Sequence, residues 1–213
     1  MSLALANLSD SPIASMDADE CDDMAWTKLS YPRDQVNGAA RALVAYEQMD
    51  GWDVSVWNRY IEGLPVINNW RSSHSFPLNT FRTNLNRSAG RIDSEVITDQ
   101  RIKRLSSISQ KLQRFPSMKL SQMQDIGGCR AVLRSNVKIQ QPMEYYRKSQ
   151  VKHKLTTVDD YILHPKHSGY RGVHLIWQYH SDRSQAYNTL KIEMQLRLGY
   201  CRGNCWDIST ASA

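Results

Sequence analysis

Cysteine is scarce in this chain of 213 residues: four are present (Cys21, Cys129, Cys201, Cys205), scattered and without CxxC spacing. Cys201 and Cys205 stand four apart with no histidine partner, which argues against a zinc site. Long apolar runs are missing too, and none approaches the ~20 residues that span a bilayer. Met1 to Ala25 holds no Lys or Arg, so the basic start of a secretion signal is absent. A cytoplasmic protein with reduced thiols and no membrane partner is expected. No internal repeat or low-complexity tract interrupts the chain, and its length suits one catalytic domain with helical decoration.

What the chain does have is charge, unevenly spread. Residues 1–25 carry six acids (Asp10, Asp17, Asp19, Glu20, Asp22, Asp23), which predicts a mobile acidic leader. The span 101–134 carries eight bases (Arg101, Lys103, Arg104, Lys111, Arg114, Lys119, Arg130, Arg134) against Asp125 alone. Such a concentration points to a phosphate-rich partner, nucleotide or RNA, and charge alone does not separate the two.

Residues 26–94 read as a helical region. Ala39 to Tyr46 has strong helix propensity; Gly63, Pro65 and the Asn68–Asn69 pair are expected to break the run. Pro77 suits the first turn of a second helix through about Ala89. Glu95 to Lys103 fits a strand, and a helix nearly as well. Ser106 or Ser107 is expected to cap a helix ending at Phe115 before Pro116, with Ile108, Leu112 and Phe115 facing the core. Cys129 to Arg134 reads as a strand and Pro142 to Lys148 as a short helix. Gly169–His174 and Lys191–Arg197 read as two further strands. In the second, Ile192, Met194 and Leu196 alternate with Lys191, Glu193, Gln195 and Arg197, giving one apolar and one polar face. Helices first and strands later give an α+β fold with a mixed sheet.

Several of these segments carry chemistry. Arg101 and Lys103, two apart on an extended segment, would point toward Ser107 at a helix start and Lys111 one turn on. Arg supplies forked bonds and Lys a point charge, a set that can hold a triphosphate near a helix N-terminus. Taken alone, the segment fits a solvated charged helix better. Asp125 precedes Gly127–Gly128, where a tight turn would let the backbone approach a ligand; an Asp before glycines is usually just a turn residue. Glu193 is the stronger signal, because Glu is disfavoured in mid-strand. Two carboxylates from separate segments suit Mg²⁺ bridging phosphate oxygens, or one of them accepts a proton from an attacking hydroxyl. Tyr170 serves as a core aromatic or as a platform for a base, and His174 as a structural or a site residue.

Five motifs in order resemble the RelA/SpoT-type synthetase domain, the small single-domain members in particular. They are Arg101-Ile-Lys103-Arg-Leu-Ser-Ser107-Ile-Ser-Gln-Lys111, Asp125-Ile-Gly-Gly-Cys-Arg130, Asp160-Tyr-Ile-x-x-Pro-Lys166, Gly169-Tyr170-Arg-Gly-Val-His174 and Glu193-Met-Gln195-Leu-Arg197. The resemblance implies a nucleotidyltransferase-like mixed sheet over residues 95–197, and transfer of pyrophosphate from ATP to the 3′-hydroxyl of GDP or GTP with Mg²⁺. By position, Arg101, Lys103, Ser107, Lys111 and Arg130 would serve the ATP phosphates. Asp125 and Glu193 would hold metal and perform catalysis, and Lys166, Tyr170, His174, Gln195 and Arg197 would surround the acceptor. Other small members act on the tRNA 3′ end as toxins, so tRNA is the second acceptor expected, with an antitoxin or a second copy as partner. Asp159 departs from the family pattern, where a basic acceptor-binding residue is common. From Leu198 to Ala213 the composition changes where the family continues into a helix, which suggests a truncation or a changed reading frame and, with it, an inactive nucleotide- or RNA-binding remnant.

Overall fold

The computed structural model describes residues 26–134, 138, 139, 143, 146 and 152–199. The acidic leader, the 200–213 tail with Cys201 and Cys205, and most of the Pro142–Lys148 segment lie outside the described residues. Three helices come first: α1 (Arg33–Glu47), α2 (Val54–Ser73) and α3 (Ser75–Ile92). Strand β1 (Ile97–Ile102), helix α4 (Leu105–Arg114) and strands β2 (Gly127–Leu133), β3 (Lys154–Asp160), β4 (Gly172–Gln178) and β5 (Lys191–Leu198) follow. The strands form one sheet in the order β1-β2-β5-β4-β3, with β2 and β5 parallel and every other pair antiparallel. The α+β reading holds.

Helix α2 runs straight through the positions expected to end it. Gly63 is buried because α1 passes close by: a Cβ there would lie 3.2 Å from the Cα and Cβ of Ala39. Pro65 costs the helix one backbone bond, but tertiary packing of Ile67 and Trp70 carries the turn past it. Asn69 does not break the helix; its side chain accepts from Ser30 N at 3.0 Å and donates to Lys28 O at 2.9 Å, anchoring the incoming chain. The start of α2 is set by Asp53, whose carboxylate accepts from the N–H groups of Ser55 and Val56.

Helix α4 also differs from expectation. It starts at Leu105 with no side-chain cap, which puts Ser106 and Ser107 inside its first turn. Ile108 and Leu112 are buried as expected, whereas Phe115 leaves the helical path and is 46% exposed beneath the Arg114 guanidinium. On its inner side Ser109 donates to Glu47 of α1, and Gln113 Nε2 reaches the same carboxylate at 2.9 Å.

One sheet face is apolar and buried: Cys129, Ala131 and Leu133 on β2, Ile192, Met194 and Leu196 on β5, and Val173, Leu175 and Trp177 on β4. It packs in one cluster with Val36, Leu43, Ile67, Leu78 and Leu85 of the helices. At ~25 cal/mol per Å² of apolar surface removed from water, this two-sided core supplies the main driving force. The alternation predicted for Lys191–Arg197 is what assigns β5 its two faces.

Candidate functional site

Strand registers place the polar side chains of the opposite face in three rows, because directly paired residues share a face. The first row runs Arg101 (β1), Gly128 (β2), Glu193 (β5), Ile176 (β4) and Thr157 (β3). The second runs Asp99, Arg130, Gln195, His174 and Asp159, and the third Ile97, Val132, Arg197 and Gly172. Residues from four of the five quoted motifs thus meet on one surface, and Asp125 lies just ahead of β2, near Glu193 of the first row.

Asp125 lies just before β2. Its carboxylate receives Lys103 Nζ at 3.0 Å and Lys111 Nζ at 2.9 Å, with 19% of the side chain exposed. Burial opposes its ionisation, but the two ammonium groups outweigh that and hold its pKa below the ordinary carboxylate value. Lys103 follows β1 and Lys111 sits one turn beyond Ser107, in the last turn of α4, so a strand end and a helix converge on one carboxylate. Gly127 and Gly128 are strand residues and make no tight turn. Gly127 is buried where a Cβ would meet Ile192 Cδ1 at 2.7 Å, and Gly128 leaves open the space beside the Glu193 carboxylate.

Glu193 stands on the neighbouring strand, opposite Gly128, with 14% of its side chain exposed. Burial would raise its pKa; the hydrogen bond and charge of His174 reverse this, and the direction is downward, even though Asp125 is near enough to push the other way. His174 Nδ1 lies 2.9 Å from Oε1, and Gln195 Nε2 donates to Oε2 at 2.6 Å. With Nδ1–H given to Glu193, the other ring nitrogen of His174, Nε2, shares a hydrogen bond with the Tyr170 hydroxyl at 2.8 Å. Arg197 Nε donates to Gln195 Oε1 at 3.0 Å, and its guanidinium lies 5.3 Å from the centre of the Tyr170 ring. Five side chains therefore close a ring: Tyr170, His174, Glu193, Gln195, Arg197.

Tyr170 is not on a strand. Gly169 adopts φ +77°, so the chain turns there and β4 begins only at Gly172. This turn folds Tyr170 back over His174, with the rings 5.5 Å apart and nearly perpendicular. Lys166 Nζ sits 4.3 Å from the Tyr161 ring centre and 5.7 Å from that of Tyr170. Tyr161 is the residue that sequence reasoning left out: its ring meets His174 edge-on at 5.2 Å, and burial together with Asp159 and Glu193 raises its phenol pKa. Its signal was its place directly after Asp160. Asp160 itself serves the turn, accepting from Ile162 N and Leu163 N.

The remaining donor-side residues are less tied down. Arg130 reaches Asp99 at 3.2 Å, and Arg101 is exposed on the edge strand opposite Gly128. Among the described residues no three His, Cys, Asp or Glu side chains could close around a metal ion by themselves. The donor set is two hard carboxylates with depressed pKa values, which fits an ion that takes its other ligands from phosphate oxygens and water.

Cys129 is on the buried face behind Glu193, and burial, with the nearby carboxylate, pushes its thiol up to about 12. In the native protein at pH 8 it should stay unlabelled by iodoacetamide for hours and react only on unfolding, as read by peptide mass mapping. Native labelling at the rate of a free thiol would contradict this placement.

A mixed sheet with one apolar face against helices, and cations and carboxylates rowed on the other, defines an α+β protein. Residues 100–200 match the profile of the region found in RelA / SpoT proteins, so the chain carries a RelA/SpoT domain. Among solved structures it is similar to a GTP pyrophosphokinase family protein from Streptococcus pneumoniae, at 23% identity and TM-score 0.53 over 62% of this chain and 68% of that one. Small alarmone synthetase 1 from Bacillus subtilis gives 24% and 0.54, over 62% and 70%. Small alarmone synthetase 2 from the same organism gives 25% and 0.53, over 62% and 71%. These likenesses establish the fold. No curated protein matches the chain. Among the described residues no helix is long and apolar enough to cross a membrane.

Proposed function

We propose that this protein transfers pyrophosphate from ATP to the 3′-hydroxyl of GDP or GTP, making guanosine tetra- or pentaphosphate. The observation that carries the reading is the nearness of Asp125, just before β2, to Glu193 on β5, with Lys103 and Lys111 on Asp125 and the Tyr170–His174–Arg197 group around Glu193. Small alarmone synthetase 1 from Bacillus subtilis, 22% identical, has been solved bound to its product pppGpp.

On the donor side, Lys103 and Lys111 would exchange part of their pairing with Asp125 for polyphosphate oxygens, joined by Arg101, Arg130 and the Ser107 hydroxyl at the start of α4. Magnesium, held by Asp125 and Glu193, would supply neutralisation of the transferring group's charge. On the acceptor side the Tyr170 ring would stack on the base, with Lys166 and Arg197 as cations for the acceptor phosphates. Glu193, ionised and fixed by His174 and Gln195, would orient the 3′-hydroxyl and accept its proton. Such chemistry draws on positioning and electrostatics, so no covalent nucleophile is needed.

A second acceptor, the 3′ end of tRNA, is favoured by one feature. Asp159 pairs with His174 in register and puts a carboxylate on the acceptor side, where it repels a free nucleotide's 5′-phosphates. Incubation with ATP labelled in its terminal phosphates and GDP, GTP or tRNA decides. Label is expected in GDP or GTP; label in tRNA alone would overturn the first reading, and label in none would favour a binding remnant.

A further inference from the structure

The N-terminal helices reach the site at one corner. Arg71, in the last turn of α2, donates Nε–H to the backbone carbonyl of Lys103 at 2.9 Å, and its other arm is held by Asn68 Oδ1 at 2.9 Å. Lys103 N in turn donates to Ile126 O at 2.8 Å, next to Asp125. Just past Arg71, His74 packs beside Gly127, its Cβ 3.4 Å from where a glycine side chain would begin. One arginine thus fixes the segment that presents Lys103, from an element 32 residues earlier in the chain. Lys103 is one of the two lysines whose ammonium meets the Asp125 carboxylate. No N–H of the guanidinium's second amino group, Nη2, is bonded to protein among the described residues, so the arm adds positive potential there as well.

We propose that Arg71 is a positioning residue for the donor nucleotide: it holds the Lys103 backbone so that the ammonium meets the polyphosphate without reorganisation. A bond from a charged donor to a half-buried carbonyl is among the stronger ones. Lys103 sits where a strand has just ended, so without that bond its carbonyl loses its fixed partner and the ammonium its fixed origin. The inference rests on the donor-site reading above and deepens it, giving residues outside the 100–200 match a part in the site.

The test is calorimetric binding of a non-hydrolysable ATP analogue with Mg²⁺ to the full chain, alongside melting curves. Arg71→Gln is expected to raise the dissociation constant about tenfold while the melting temperature falls by only a few degrees and the transition stays cooperative. Arg59→Gln, which removes an exposed arginine from the same helix, is expected to leave binding unchanged. Because Arg71 acts through Lys103, Arg71→Gln should cost nothing further in a Lys103→Met background; additive losses would overturn the inference. Equal weakening by Arg59→Gln would also overturn it, since only general charge would then matter. Should Arg71→Gln fail to fold, Arg71→Lys serves: it keeps the charge and loses the Asn68 anchor, so an intermediate affinity is expected and wild-type affinity overturns the inference. A wild-type chain that binds no analogue would overturn the donor-site reading itself, and this inference with it. Wild-type binding matched by Arg71→Gln would overturn the inference alone.

Discussion

Glu193→Gln should lose at least about a hundredfold in turnover while the protein stays folded, because the change removes a charge and almost no volume. The site is arranged so that the two effects separate. Glu193 is buried and near Asp125, and both features oppose its ionised form; only His174 and Gln195 sustain it. A neutral amide relieves the burial cost and the repulsion, and its carbonyl oxygen still accepts from His174. The loss is local: Gln195 Nε2 now faces an amide N–H₂ rather than an acceptor. It must flip, giving up the bond from Arg197, at about 1 kcal/mol. Stability should thus move by about that much in urea titration, while initial rates of labelled pyrophosphate transfer collapse. Turnover within threefold of wild type would remove Glu193 from the chemistry and favour a nucleotide-binding role without transfer.

The parts of the site that could be read beforehand are those governed by short-range periodicity. Alternation in Lys191–Arg197 assigned Glu193, Gln195 and Arg197 to one face, and a two-residue period leaves no other outcome once Ile192, Met194 and Leu196 are buried. The pairing of Lys103 and Lys111 with Asp125 needed the motif order, because no local rule brings a strand end, a helix and a loop 22 residues on to one point. Glycine misled in three places for three reasons. Gly63 marks a close helix crossing and Gly127 a tight fit under the side chains of Ile192, His74 and Leu78, whereas Gly169 uses its left-handed freedom, to turn Tyr170 toward His174. Strand β3 went unrecognised because both ends are polar and it carries a register shift between Leu155 and Thr157. Arg71 and Tyr161 could not be assigned from spacing, since their contacts depend on how whole helices and turns dock.

His74 should make the protein lose stability as pH falls from about 6.5 to about 4, by about 3 kcal/mol in all. It sits between α2 and α3 with 1% of its surface exposed, its ring edge-on to Trp70. Nδ1–H donates to Trp70 O at 2.7 Å, and burial lowers the pKa from 6.5 to about 4, so the folded protein holds it neutral. The unfolded chain takes up a proton at 6.5 and the folded one only near 4. Between those values the unfolded state binds more protons, and stability rises with pH. The depressed pKa values of Asp125 and Glu193 act from the ordinary 3.8 and 4.5 downward, so they overlap only the lower edge of this window. His153, half-buried on Tyr179, shifts the same way through burial and adds a smaller slope that solvent screens. Urea titrations at pH 7.5 and pH 5 should differ by about 2 kcal/mol in the wild type. In His74→Gln the absolute stability drops at both values, but most of the difference between them should vanish, because no group is left there to titrate. A variant keeping the full pH slope would mean that His74 is already charged in the folded protein. The α2–α3 corner that supports Gly127 and Lys103 would then have to be open to water.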